Sequence, residues 1–187
     1  MKSLLRKINR GVILSVAVIL GIAAYYGVIA IRNAPERRGI EEIAKAFGEI
    51  YEEGYTRPAS LRDFVDYPKE QTEKDAKELK AKLEKIYVKD ADGIQKWVSI
   101  FTTENEYKST AYQYYETYEI TYKRLYSLKI TGDTATASAD YRIEWTVRSD
   151  PSAPSSWGSP GHTGTASFKL EKTGGKWRAT AISADIY

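Results

Sequence analysis

A chain of 187 residues with 42% hydrophobic and 28% charged side chains has the make-up of a folded protein, not a disordered one. It contains no cysteine, which excludes disulfides, thiolate chemistry, cysteine-based zinc sites and a lipid-modified N-terminal cysteine, without fixing the compartment. The formal charge of +3 is unevenly placed: residues 1–35 hold five basic residues and no acid, and taking those five from 28 leaves 23 basic against 25 acidic, so the remainder lacks the basic excess that nucleic-acid binding needs.

The first element is "VILSVAVILGIAAYYGVIAI", Val12 to Ile31, twenty residues without a charge. A spanning helix needs roughly 20 apolar residues, and the predicted element is a single transmembrane anchor. A cleaved secretory signal is the alternative. Tyr25 and Tyr26 shorten the most apolar core to Val12–Ala24, and Val28 and Ala30 suit the −3 and −1 positions of a cleavage site. Lys2, Arg6, Lys7 and Arg10 precede the span, and Arg32, Arg37 and Arg38 follow it. The short basic tail predicts an N-terminus in the cytoplasm and a C-terminal domain outside it, at the plasma (inner) membrane. Ala17 with Gly21, and Ala23 with Gly27, are small-xxx-small pairs that would let the anchor pack closely on another helix. The expected organisation is a cytoplasmic tail over residues 1–11, the span over 12–31, a linker over 32–37 and an extracytoplasmic domain over 38–187.

Pro35 is expected to break the run. Beyond it, Ile40, Ile43, Ala44, Phe47, Ile50 and Tyr51 fall on one helical stripe, and Gly54 is a reasonable stop. Leu61, Phe64 and Val65 suggest a packed turn within a loop bounded by Pro58 and Pro68. A second helix is predicted from Thr72, with Thr72 and Asp75 as a capping box and Ala76, Leu79, Leu83 and Ile86 on the buried side. "DADG" at Asp90–Gly93 interrupts it, and Ile94, Trp97, Val98 and Phe101 mark a third, short helix.

The apolar period then changes to two. Tyr118, Ile120, Tyr122, Tyr126, Leu128 and Ile130 share one face of a predicted strand, and "TGD" turns the chain. Alternation from Ala135 to Val147 predicts a half-exposed antiparallel strand with Asp140 on its polar side. "SDPSAPSSWGSPGHTG" reads as a loop. Ala166, Phe168 and Leu170 alternate again, and "TGGK" leads into a last strand from Trp177. The expected class is α+β, with helices packed on one face of a four-stranded antiparallel meander.

On "ITGDTATASADYRIEW" and "TGTASFKLEKTGGKWRATAISA" the chain resembles the nuclear transport factor 2-like superfamily, the ketosteroid-isomerase-like cone fold. With an N-terminal anchor the layout is similar to membrane-anchored members, namely type IV secretion assembly factors and the Mce-associated membrane proteins of lipid importers. That resemblance implies a non-enzymatic structural or assembly subunit of a bacterial-type envelope complex, with other membrane subunits as partners and a homo-oligomer also compatible. A cone binding a small apolar, lipid-like ligand is the alternative, and a cone-fold enzyme the third reading.

No catalytic, cofactor or metal set is evident in the residues. His162, the single histidine, has neither cysteine nor a carboxylate cluster beside it and is expected on an exposed loop. "DADG" lacks the third acid and closing Glu of a calcium loop. The fifteen tyrosines are the unusual feature. Tyr118, Tyr122 and Tyr126 are expected in the core, and Tyr112, Tyr114 and Tyr115 are candidates for a cavity mouth or partner surface.

Overall fold

The computed structural model describes residues 10–62, 66–103, 113–149 and 155–186, and only the backbone of 10–13, 26–32 and 155. The chain divides into two compact units, Met1–Arg38 and Gly39–Tyr187.

Helix α1 runs from Arg10 to Tyr55 with Pro35 inside it. The predicted break at Pro35 is thus corrected. Proline removes one N–H and crowds one carbonyl, a penalty of about 3 kcal/mol that a long helix can absorb where good helix formers flank it. In the first unit every described side chain from Leu14 to Tyr25 is exposed, Ala17 and Ala23 included, and nothing lies near Gly21. Among the described residues no helix is long and apolar enough to cross a membrane. The side chains of Val12 and Ile13, and those from Tyr26 to Ile31 with Gly27 among them, lie outside the described set.

In the second unit the predicted stripe of α1 is the centre of the core: Ile40, Ile43, Ala44, Phe47, Ile50 and Tyr51 are all buried. The helix ends one residue after Gly54. That glycine serves close packing as well, since a Cβ there would stand 2.5 Å from the Phe101 ring. A 3-10 turn over Ala59–Leu61 follows, while Phe64 and Val65 lie outside the described residues.

Helix α2 spans Lys69–Ile86 and starts after Pro68, not at Thr72. The predicted capping box does not form, because Thr72 Oγ1 donates to the Pro68 carbonyl from inside the first turn. Asp75 instead accepts from Tyr67 Oη at 2.5 Å and Gln71 Nε2 at 2.7 Å. Leu79, Leu83 and Ile86 are buried as expected. After the turn at Asp90, helix α3 spans Asp92–Thr102 and buries Ile94, Trp97, Val98 and Phe101.

Strands β1 (Gln113–Thr131), β2 (Thr134–Ser149), β3 (Ser155–Thr173) and β4 (Lys176–Asp185) form one antiparallel sheet in the order β1-β2-β3-β4. The α+β meander expected from the sequence is present. Ala135, Ala137, Ala139, Tyr141, Ile143 and Val147 of β2 are buried, and Tyr141 Oη donates to the Ala44 carbonyl of α1 at 2.8 Å. In β1 the register shifts between Tyr115 and Thr117, between Tyr122 and Arg124, and between Tyr126 and Lys129. Each extra residue resets the alternation. Tyr118 is buried and Tyr122 half-buried, but after the second shift Leu125 turns inward and Tyr126 outward, which corrects Tyr126 as a core residue.

The predicted loop "SDPSAPSSWGSPGHTG" is also corrected, because β3 already begins at Ser155. Trp157 pairs with Val147 and His162 with Ile143, and the register shift between Ile143 and Trp145 places Pro160 and Gly161 in a bulge. Gly161 has φ +100°, and proline is tolerated where no ladder bond is lost.

Gly164, opposite Tyr141, is buried, and a Cβ there would overlap the Ile143 Cδ1 methyl and stand 3.1 Å from both Asp185 O and Ile186 Cα. Two of those three neighbours are backbone and cannot rotate away. Gly164→Ala is therefore expected to destabilise the domain by about 1–3 kcal/mol. A denaturant midpoint unchanged from wild type would show that this crossing of β3 and the C-terminal backbone is looser than described.

Candidate functional site

The register of the sheet places Tyr114 and Tyr115, two of the three candidate tyrosines, at one end. Tyr115 pairs with Val147, which pairs with Trp157, so the three share one face of the sheet. Tyr114 and Tyr115 are buried at this end, and Tyr112 lies outside the described residues. Tyr115 stands edge-on to Tyr118 at 4.8 Å, to Tyr55 at 5.9 Å and to Trp145 at 5.8 Å. Tyr55 stacks on both Tyr51 and Tyr118 at 4.9 Å, and Tyr51 leads inward to Phe47, Trp97 and Phe101. These rings pack together in the core between helices and sheet.

The row reaches solvent at Trp157. Its ring meets Trp145 edge-on at 5.0 Å, and half of its surface is open, 50% exposed. Tryptophan joins a large apolar area to a polar N–H, which suits a contact surface. The sequence reading missed Trp157 because Pro, Gly and Ser around it read as loop. Its one signal was a tryptophan in an otherwise small and polar stretch.

Behind this end, Arg57 is fully buried with its guanidinium 5.4 Å from the Tyr67 ring centre and 5.6 Å from that of Tyr114. Burial pulls its pKa down, while the Tyr67, Tyr114 and Asp66 side chains oppose that shift. Cation–π contact with two rings compensates part of the desolvation and ties the segment after α1 to the start of β1.

The other candidates do not converge. His162 is half-buried on β3, not exposed on a loop, with Nδ1 3.2 Å from Ser159 Oγ. Asp140 lies on the outer side of β2 but is covered by Arg124, whose Nε donates to its carboxylate at 2.6 Å, a contact that raises the Arg124 pKa. Asp185 is exposed at the end of β4. Asp90, at φ +58°, serves the turn before α3. Among the described residues no group of three His, Asp or Glu side chains is placed to hold a metal ion. A groove of about 730 Å³ lies between the α2–α3 connection and the β3–β4 hairpin and is lined mainly by charged side chains, including Glu84, Lys89, Asp90, Glu171 and Arg178.

The sheet's edges differ in cover. On β1, the Ile120 N–H donates to Glu52 Oε2 of α1 at 2.9 Å. On β4, the Ala179 carbonyl accepts the Val88 N–H at 2.9 Å. Pairing of β3 with β4 reaches only Thr165 with Asp185, and among the described residues Ser155–Thr163 pairs with β2 alone.

No family model matches the sequence, and no curated protein does. Among solved structures, the chain is similar to the intermembrane space region of the chloroplast protein ARC6, at 14% identity and a TM-score of 0.47, over 81% of this chain and 97% of that one. It is similar to a nuclear transport factor 2-like superfamily protein from Salmonella enterica serovar Typhimurium at 9% identity and a TM-score of 0.41, over 78% of this chain and 92% of that one.

Proposed function

We infer that the chain is a single-pass, non-enzymatic subunit of a cell-envelope membrane complex, with a nuclear transport factor 2-like domain outside the cytoplasm. The observation that carries this reading is the apolar stretch Leu14–Tyr25 of α1, in which every described side chain is exposed. A helix apolar all round is stable only when lipid or protein surrounds it. Within its own unit the stretch has no cover among the described residues, and a bilayer would supply it. Orientation follows from the basic residues ahead of it. The aromatic filling of the domain supports action through surface contacts over action on a ligand held inside.

The test is carbonate washing of native membranes, then gentle detergent extraction of a C-terminally tagged full chain, native-gel sizing and mass spectrometry. The chain is expected to resist the wash and to travel with stoichiometric membrane partners. A chain released by carbonate, or one extracted only as a monomer or homodimer, would overturn the reading.

A further inference from the structure

The stretch of β3 that no described residue covers specifies the chemistry of what binds it. Along a strand, N–H and C=O groups alternate in direction, so every second residue of Ser155–Thr163 turns its pair away from β2. Such a row is matched only by another extended backbone. Glu52 and the Val88 N–H meet this need on the other two edges, and no described group does so over Ser155–Ser159.

Neighbouring side chains narrow the choice further. Trp157, braced by Trp145, forms a rigid apolar ledge on the core-side face of the sheet beside that row. The ion pairs nearby, Arg142 with Glu144 at 2.5 Å and Arg148 with Glu116 at 3.1 Å, involve β2 residues that alternate with Trp145 and Val147, so they lie on the opposite face of the sheet and leave the ledge apolar. The bulge at Pro160 and Gly161 ends regular pairing, leaving Ser155–Ser159 as the usable length. Five residues at about 3.3 Å each span about 16 Å. A rigid second copy would have to bury roughly 800 Å² around this one short edge to bind stably. A flexible strand that also folds over Trp157 meets the same edge without that requirement.

We propose that the Ser155–Ser159 edge, with Trp157, docks an extended segment of a partner protein that lays an apolar side chain over that ring, added alongside β3 in line with β4. The proposal rests on the subunit reading and names its contact surface. Random octapeptides displayed on phage are panned against the full chain in detergent micelles, and recovered sequences are synthesised. Hydrogen exchange read by mass spectrometry is expected to show the Ser155–Ser159 amides protected by these peptides. Trp157→Ala should weaken binding at least tenfold, Trp157→Phe should keep most of it, and N-methylation of alternate peptide residues should abolish it in one phase and spare it in the other. Peptides that bind without protecting these amides, or that ignore Trp157→Ala and N-methylation, overturn the proposal. So does concentration-dependent self-association that protects the same amides without peptide, which would assign the edge to a second copy. Native extraction separates the two levels. Partners retained by Trp157→Ala sink the docking site alone, whereas no partner with the wild type sinks the subunit reading.

Discussion

Truncating Phe47 to alanine is expected to lower the stability of the domain by about 3–5 kcal/mol, the range for loss of a fully buried aromatic ring. Phe47 has no exposed surface and stands where α1, α3 and β3 meet, with Trp97 at 5.2 Å, Phe168 at 5.9 Å and Tyr51 at 5.9 Å, all edge-on. Its neighbours are rings on three different elements, so collapse into the vacated space would require those elements to shift together. Against a total stability of roughly 5–15 kcal/mol the loss is severe. Phe47→Leu, which keeps most of the volume, should cost less than about 1.5 kcal/mol. Urea unfolding of the full chain in detergent, followed by tryptophan fluorescence, checks both. A Phe47→Ala variant within about 1 kcal/mol of wild type would mean that the stripe of α1 is not seated on the sheet as described, since core truncations of this kind cost more.

The second large effect is alkaline unfolding. Burial pushes the phenol of Tyr87 up to about 12, and those of Tyr118 and Tyr141 higher still. In the unfolded chain each loses its proton near pH 10. Above that pH the unfolded state binds fewer protons than the folded one, so stability falls as pH rises. The contribution of Tyr87 is intact below about pH 10 and lost by about pH 12. Each group removes about 1.4 kcal/mol per pH unit across its window, and the three together about 4 kcal/mol per unit. Cooperative unfolding is expected between pH 10 and 12. Tyrosinate absorbance from these three should rise together with the loss of ellipticity, not before it. Ionisation of all fifteen tyrosines while the fold persists would contradict the burial described here.

Legibility of the fold varied with how regular each element is. The stripe from Ile40 to Tyr51 and the alternation from Ala135 to Ile143 follow one period without interruption, and burial follows both. Strand β1 obeys the same physics but steps by three residues at each shift, from Tyr115 to Tyr118, Tyr122 to Leu125 and Leu125 to Leu128. No local propensity marks those points, so Tyr126 was assigned to the wrong face. The start of α2 was misplaced because Thr72 and Asp75 suit a cap, yet Pro68 begins the helix earlier and Asp75 is taken by Tyr67. The first half of β3 was hidden because an edge tolerates proline and glycine that a central strand would not. Of the candidate site, the tyrosine cluster was legible from composition, whereas Trp157 needed the pairing of β3 with β2 to be seen.

The reach of the contacts that seat α1 bears on how the protein is made. Tyr51 Oη donates to the Ile186 carbonyl across 135 residues, and Ala44 accepts from Tyr141 across 97. The four strands pair only with neighbours in sequence and can form hairpin by hairpin as synthesis proceeds. The Ile40–Tyr51 stripe of α1 emerges before the elements that cover it and is completed only when β4 and the residues after it are made. Until then this stripe of the domain is open to wrong partners, and it is a stretch on which a chaperone would act.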